Sequence, residues 1–195
     1  MEVGYLPFSA GEGHGVYASD PVFRARLRNG DNTSTVVREW ERIFPTPELG
    51  WDDLAEIRER TTLPVIAKGV LRADDARRCI ACGVDGVVVS NHGGRQVDGC
   101  VPAICQLPEV AGAIGDAVPV FFDSGVRTGS DVLIALALGA TAVLIGRPLV
   151  WALAVGGQTG VERVLRCLLA DIELTLANLG VSRIDELSSL IRVAA

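Results

Sequence analysis

At 195 residues and 49% hydrophobic side chains, the chain has the size of one ordinary domain and enough apolar content to bury a core, which excludes a disordered tail. Twenty-four acidic against eighteen basic side chains give a net charge of −6, and no dense Lys/Arg cluster offers itself to a phosphate backbone, so a nucleic-acid partner is not expected. Met1-Glu2-Val3-Gly4-Tyr5 lacks a basic region followed by an apolar one, and the most apolar stretch, 132–155, is broken by Gly139, Gly146, Arg147 and Pro148, so the reading is a soluble, cytoplasmic protein without leader or membrane span.

Along the first sixty residues, Gly11, Gly13, Gly15, Pro21, Asn29, Gly30, Asp31 and Asn32 punctuate a segment of little periodicity, which reads as a long surface excursion. His14 reads as an exposed loop histidine, and nothing in the spacing of Tyr5 or Tyr17 requires a ligand. Helices are expected at 35–44, with Val36, Val37, Trp40 and Phe44 on one stripe, and at 51–60, with Trp51, Leu54 and Ile57 behind the N-terminal acids Asp52 and Asp53. The second of these should pack against the first strand.

From Leu63 onward one theme recurs: a short apolar strand, a polar or glycine-bearing loop, then an amphipathic helix. Strands are expected at 64–68, 86–90, 119–123 and 142–146. Helices should begin near Ala73, Pro102 and Ser130, with Ser130 as an N-cap and Gly83 and Gly139 as left-handed stops. A final helix over about 160–179 repeats Val161, Val164, Leu165, Leu168, Leu169, Ile172 and Leu176 before Gly180 ends it. The five cysteines, an odd number, favour reduced thiols. Cys79 and Cys82 form a lone CxxC on a helix, without a second pair or histidines to make a zinc site.

Chemistry gathers at the strand ends. Val87-Val88-Val89 is a buried-strand pattern that stops at Ser90-Asn91-His92-Gly93-Gly94-Arg95-Gln96. The glycines permit a sharp turn and a close ligand approach, His92 can take a proton near neutral pH, and the Arg95 fork can hold a carboxylate. A plain solvated loop is the bland alternative. Lys68 closes its strand before Gly69. A flavin or phosphate would account for its charge, and an ion pair with a carboxylate such as Asp123 would account for it equally. Asp123-Ser124-Gly125-Val126-Arg127 and Gly146-Arg147-Pro148 end the last two strands in small arginine-bearing loops, the place where (β/α)8 barrels hold a phosphate, with surface salt bridging as the competing explanation.

Taken in order, Leu63-Pro64-Val65-Ile66-Ala67-Lys68-Gly69, Ser90-Asn91-His92-Gly93-Gly94-Arg95-Gln96, Asp123-Ser124-Gly125-Val126-Arg127 and Gly146-Arg147-Pro148 resemble the FMN-dependent α-hydroxy-acid dehydrogenase and oxidase family. Tyr5-Leu6-Pro7-Phe8, Ser19-Asp20-Pro21-Val22-Phe23-Arg24 and Ser124, where many relatives have a second glycine, look most like its lactate 2-monooxygenase and lactate oxidase branch. The resemblance implies an α/β fold of the TIM (β/α)8 barrel type. Residues 51–195 would be the C-terminal half barrel, βα units five to eight, and residues 1–50 an irregular and helical segment from the variable loop before strand five.

It further implies oxidation of a small L-2-hydroxy acid such as lactate, to the keto acid or its decarboxylation product, with FMN as cofactor and oxygen as a candidate acceptor. His92 would be the base and, with Arg95, would bind substrate. Lys68, Ser90, Asp123, Ser124, Gly125, Val126, Arg127, Gly146 and Arg147 would bind the cofactor. The family's first four strands, with their tyrosines and second arginine, have no counterpart here. Self-association, or pairing with a separate N-terminal half, is therefore expected, and a catalytically silent half barrel is the alternative.

Overall fold

A computed structural model describes residues 15–27, 30, 32–43 and 48–190. The chain divides into two units, 1–50 and 51–195, each with its own apolar cluster. The readings placed on Tyr5, Gly11, Gly13, His14, Asn29, Asp31 and Phe44 lie outside the described residues.

In the first unit, helices α1 (Gly15–Ser19), α2 (Pro21–Arg24) and α3 (Thr33–Ile43) follow local capping rules. The Asp20 carboxylate accepts from the N–H of Val22 at 2.7 Å, and Pro21 stands where its missing N–H costs nothing. The Asn32 side chain accepts from Thr35 N at 3.0 Å, so α3 begins two residues before the expected start. Phe23, Val36 and Trp40 are buried together. Tyr17 packs on them, its ring 5.7 Å from Phe23 and 6.4 Å from Trp40.

The second unit is built on four parallel strands in the order β1 (Ile66–Val70), β2 (Gly86–Val89), β3 (Val120–Phe122) and β4 (Ala142–Val143). Each strand is followed by a helix: α5 (Ala73–Ala81), α6 (Ala103–Ile114), α7 (Gly129–Ala137) and α8 (Arg147–Leu179), with α4 (Trp51–Glu59) ahead of them all. Because strand side chains alternate, Val70, Val87, Val89, Val120 and Phe122 join Ala76, Cys79, Leu107, Val110, Val132 and Ala135 of the helices in one core. Each large side chain so buried contributes about 1.5–3 kcal/mol. The strand of three valines is buried along its whole length, as its composition requires.

Several boundaries differ from the sequence reading for identifiable reasons. β1 starts at Ile66 because Pro64 has no N–H and Val65 N donates to the Asp85 carboxylate at 2.8 Å. It runs on to Val70, past an irregularity at Gly69. β4 is two residues instead of five. It borders only β3, which ends at Phe122, and after Leu144 N bonds to Phe122 O at 2.8 Å the chain turns into α8. The N-cap of α7 is Thr128, not Ser130. Thr128 and Asp131 form a reciprocal capping box, and the Ser130 hydroxyl instead lies 3.4 Å from that of Thr175.

Helix α4 has α5 as its main neighbour rather than the first strand, with the Arg78 guanidinium 5.0 Å from the Trp51 ring centre, and its Ile57 is exposed. Helix α8 starts at Arg147, but left-handed Gly157 breaks it, so its second part matches the expected final helix. Val161, Val164, Leu168, Ile172 and Leu176 are half-buried, whereas Leu165 and Leu169 face out. Gly180 stops it at φ 68°. Among the described residues all five cysteines are free thiols, and no helix is long and apolar enough to cross a membrane.

Candidate active site

The register that pairs Lys68 with Val88 and Val88 with Phe121 puts Lys68, Ser90 and Asp123 on one sheet face, at the carboxyl ends of three adjacent strands. Of the two explanations offered for Lys68, the ion pair with Asp123 is present. Its ammonium lies 2.9 Å from Asp123 Oδ2 and donates to Ser90 Oγ at 2.9 Å. Ser90 is fully buried behind the site, and its hydroxyl also accepts from His92 N at 3.0 Å.

Burial alone would raise the Asp123 carboxyl. Hydrogen bonds from Ser90, Lys68 and Ser124, with the charge of Lys68, outweigh that and hold it below the usual carboxylate range. A folded-state pKa lowered in this way contributes stability in full above the unfolded carboxylate value. That contribution is lost as pH falls through the folded one. Asp123→Asn should therefore unfold at lower urea than the parent near neutrality, and the gap should close on acidification below about pH 4. Denaturation series across that range check this, and a gap independent of pH would contradict it.

His92 opens a short 3-10 turn, His92–Gly94, and sits at φ 56°. The turn is held by Gly94 N, which donates to Asn91 Oδ1 at 3.2 Å, and by Arg147 Nη2, which donates to Gly93 O at 3.3 Å. Gly69, which the sequence marked only as the residue after Lys68, is what admits the imidazole: a Cβ there would lie 2.6 Å from His92 Nε2. A glycine at a strand end where no turn is needed was the available signal.

The loops converge on an open cavity of about 350 Å³ lined by Lys68, His92, Gly93, Arg95, Gln96, Asp123, Ser124, Gly125, Val126, Arg127, Leu144, Gly146, Arg147 and Pro148. Of the residues expected to bind substrate or cofactor, all but Ser90 line it. Four cationic side chains there face one carboxylate, and Arg95 and Arg127 make no ion pair among the described residues. The backbone N–H groups of Gly125, Val126, Gly146 and Arg147 find no acceptor among the described residues, and a Cβ on Gly125 or Gly146 would project into open space. Unpaired amides, guanidiniums and the start of α8 make a cradle suited to a phosphate. A phosphate-bearing cofactor with an electron-poor ring beside Lys68 fits this set of donors.

Parallel strands thus end in a cationic, glycine-lined cavity beside a histidine, a set of donors that suits a phosphorylated ligand. Residues 11–193 match the FMN-dependent dehydrogenase family, and the chain belongs to that family, whose cofactor is FMN. It is 42% identical to an L-lactate oxidase of Lysinibacillus sphaericus over 95% of this chain and 48% of that protein. It is 46% identical to an FMN-dependent alpha-hydroxy acid dehydrogenase of Penicillium citrinum over 88% of this chain and 44% of that one. Among solved structures, a mandelate oxidase with (S)-4-hydroxymandelic acid superposes at a TM-score of 0.72 with 41% identity, over 84% of this chain and 45% of that one. The chain thus has the parallel α/β fold of these enzymes and spans about half the length of the relatives it matches.

Proposed function

We propose that the chain carries the phosphate cradle, base and substrate anchor of an FMN-dependent enzyme that oxidises a small L-2-hydroxy acid, lactate first among candidates, with oxygen as acceptor, in the cytoplasm. The observation that carries this reading is the convergence of Lys68, His92, Arg95, Arg127 and Arg147 on one cavity at the strand carboxyl ends. FMN, when bound, supplies the two-electron acceptor. Gly125, Val126, Arg127, Gly146 and Arg147 would hold its phosphate and ribityl chain, with Asp123 and the Ser124 backbone beside them. Lys68, steadied from behind by the buried Ser90 hydroxyl, would meet the polar edge of its ring, where the ammonium favours negative charge. The Arg95 fork, without an ion pair among the described residues, would fix the substrate carboxylate. His92 would then accept the proton that leaves the substrate.

A second reading rests on a different observation. β1 and β4 are both edge strands, and Leu63, Trp151, Leu153 and Val155 are 70%, 54%, 57% and 92% exposed. Unpaired edges and apolar surface favour association. By this reading the chain is a half barrel, βα units five to eight, that self-associates or completes its site with an N-terminal half.

Both readings meet in one experiment: titrating the chain with FMN, alone and with βα units one to four of a relative, while following flavin fluorescence, sedimentation and L-lactate oxidation. Weak FMN binding by a self-associated chain is expected, followed by tight binding, one compact species and turnover on complementation. A stable monomer holding stoichiometric FMN would overturn the need for a second half. A tight, complemented complex inert to every small 2-hydroxy acid would overturn the proposed activity.

A further inference from the structure

Among the described residues only two that are not glycine have positive φ, and both are in this site: His92 at 56° and Ser124 at 90°. A histidine tolerates that region better than most side chains, but a serine there stands where glycine would be the low-cost choice, and the next residue, at φ 86°, is glycine. Strain at a non-glycine position persists when surrounding contacts over-determine it. Those contacts are present. Ser124 Oγ accepts from Asn91 N and from Gly93 N, each at 3.2 Å, and donates to Asp123 Oδ1 at 2.8 Å. Its proton and both its lone pairs are thereby committed to the protein.

We infer that Ser124 is a positioning residue. Its hydroxyl latches the loop after β3 onto the turn after β2, gripping the amides on either side of His92 and so fixing where the imidazole stands. This assigns the side chain a different task from the cofactor cradle, to which Ser124 contributes backbone alone. Through Asp123 the same latch connects to the Lys68 ammonium, so the turn that carries His92 and the lysine are set by one hydrogen-bonded chain. The inference rests on the reading of His92 as the proton acceptor for its functional meaning, but not for its geometry.

The test uses Ser124→Gly and Ser124→Ala in the full chain without cofactor, read by hydrogen–deuterium exchange over the peptide containing Asn91 to Gly94 and by exchange of the imidazole C2 hydrogen. His14 and His92 are the only histidines, so the second readout is unambiguous. Both variants lose two hydrogen bonds to the turn. Exchange at Asn91 and Gly93 should rise roughly three- to tenfold in each, and the pH profile of His92 C2 exchange should move while that of His14 stays in place. Global melting should fall less in Ser124→Gly than in Ser124→Ala, because both lose the hydroxyl but only glycine relieves the strained φ.

Unchanged amide exchange and an unmoved His92 profile in both variants would overturn the latch. Loosening in Ser124→Ala alone would overturn it as well, by showing that backbone strain and not the hydroxyl controls the turn. None of these measurements needs FMN or a substrate. The latch can therefore fail while the hydroxy-acid reading stands, and the reverse.

Discussion

His92→Ala is expected to lower turnover of a complemented, hydroxy-acid-oxidising preparation by about 10²–10⁴-fold while leaving FMN bound, since that is the usual contribution of a positioned general base. The two halves of the outcome separate because the histidine and the cradle are built from different elements. The imidazole is carried by the turn after β2 and lies close to Gly69 of β1, whereas the free amides and the guanidiniums of Arg127 and Arg147 belong to the loops after β3 and β4. Removing the ring therefore deletes no cradle donor. Arg147 bonds to Gly93 through the backbone carbonyl, a contact that survives truncation of its neighbour. Steady-state rates beside the visible flavin spectrum of the purified variant check the pair of expectations. Lactate oxidation at the parental rate would remove His92 from the chemistry, and loss of flavin would show that the turn also supports the cradle.

Most of this site could be read without coordinates because its residues terminate strands. Strand composition is set by burial on both faces, so the run of three valines announced its element, and whatever followed it had to emerge at the carboxyl end of the sheet. The same logic placed Lys68, Asp123 and Arg147 together before any distance was known. What it left open was which partner Lys68 would take. That depends on angstrom-scale register: only the pairing of β1 with β2 and β2 with β3 brings Asp123 to 2.9 Å of the ammonium.

The misreadings have a common origin in competition for backbone donors. Ser130 has good N-cap chemistry, yet Thr128 won because Asp131 stands three residues after it and returns the hydrogen bond. The strand expected from 142 to 146 was right in hydrophobic pattern, but a ladder needs partners, and as an edge strand β4 has them on one side only. Glycines were the least legible. Gly69 and Gly129 look no different in sequence from glycines that merely turn the chain, because the atom that forbids a side chain comes from a residue distant along the chain.

Gly129 gives the largest structural consequence. Its φ is not in the left-handed region, so it is glycine for lack of room: a Cβ would lie 2.5 Å from Ile172 N and 2.7 Å from Asp171 C, both backbone atoms of α8 that cannot step aside. The close approach has a purpose, because Gly129 N at the start of α7 donates to the Asp171 carboxylate at 2.5 Å, putting a negative charge on the positive end of that helix. Gly129→Ala must therefore push α7 and α8 apart and break this contact. Overpacking of about 1–3 kcal/mol, with loss of a cap of about 1 kcal/mol, gives an expected destabilisation of roughly 2–4 kcal/mol, a large share of the stability of about 5–15 kcal/mol typical of a domain. Gly112→Ala is the control. It lies inside α6, a Cβ there would meet nothing within 4 Å, and the gain in helix propensity should stabilise by roughly 0.5–1 kcal/mol. Urea unfolding of the two variants beside the parent reads both signs at once. Equal midpoints for Gly129→Ala and the parent would mean that α8 yields at Asp171 and Ile172, and that its second part is held to α7 less firmly than this packing requires.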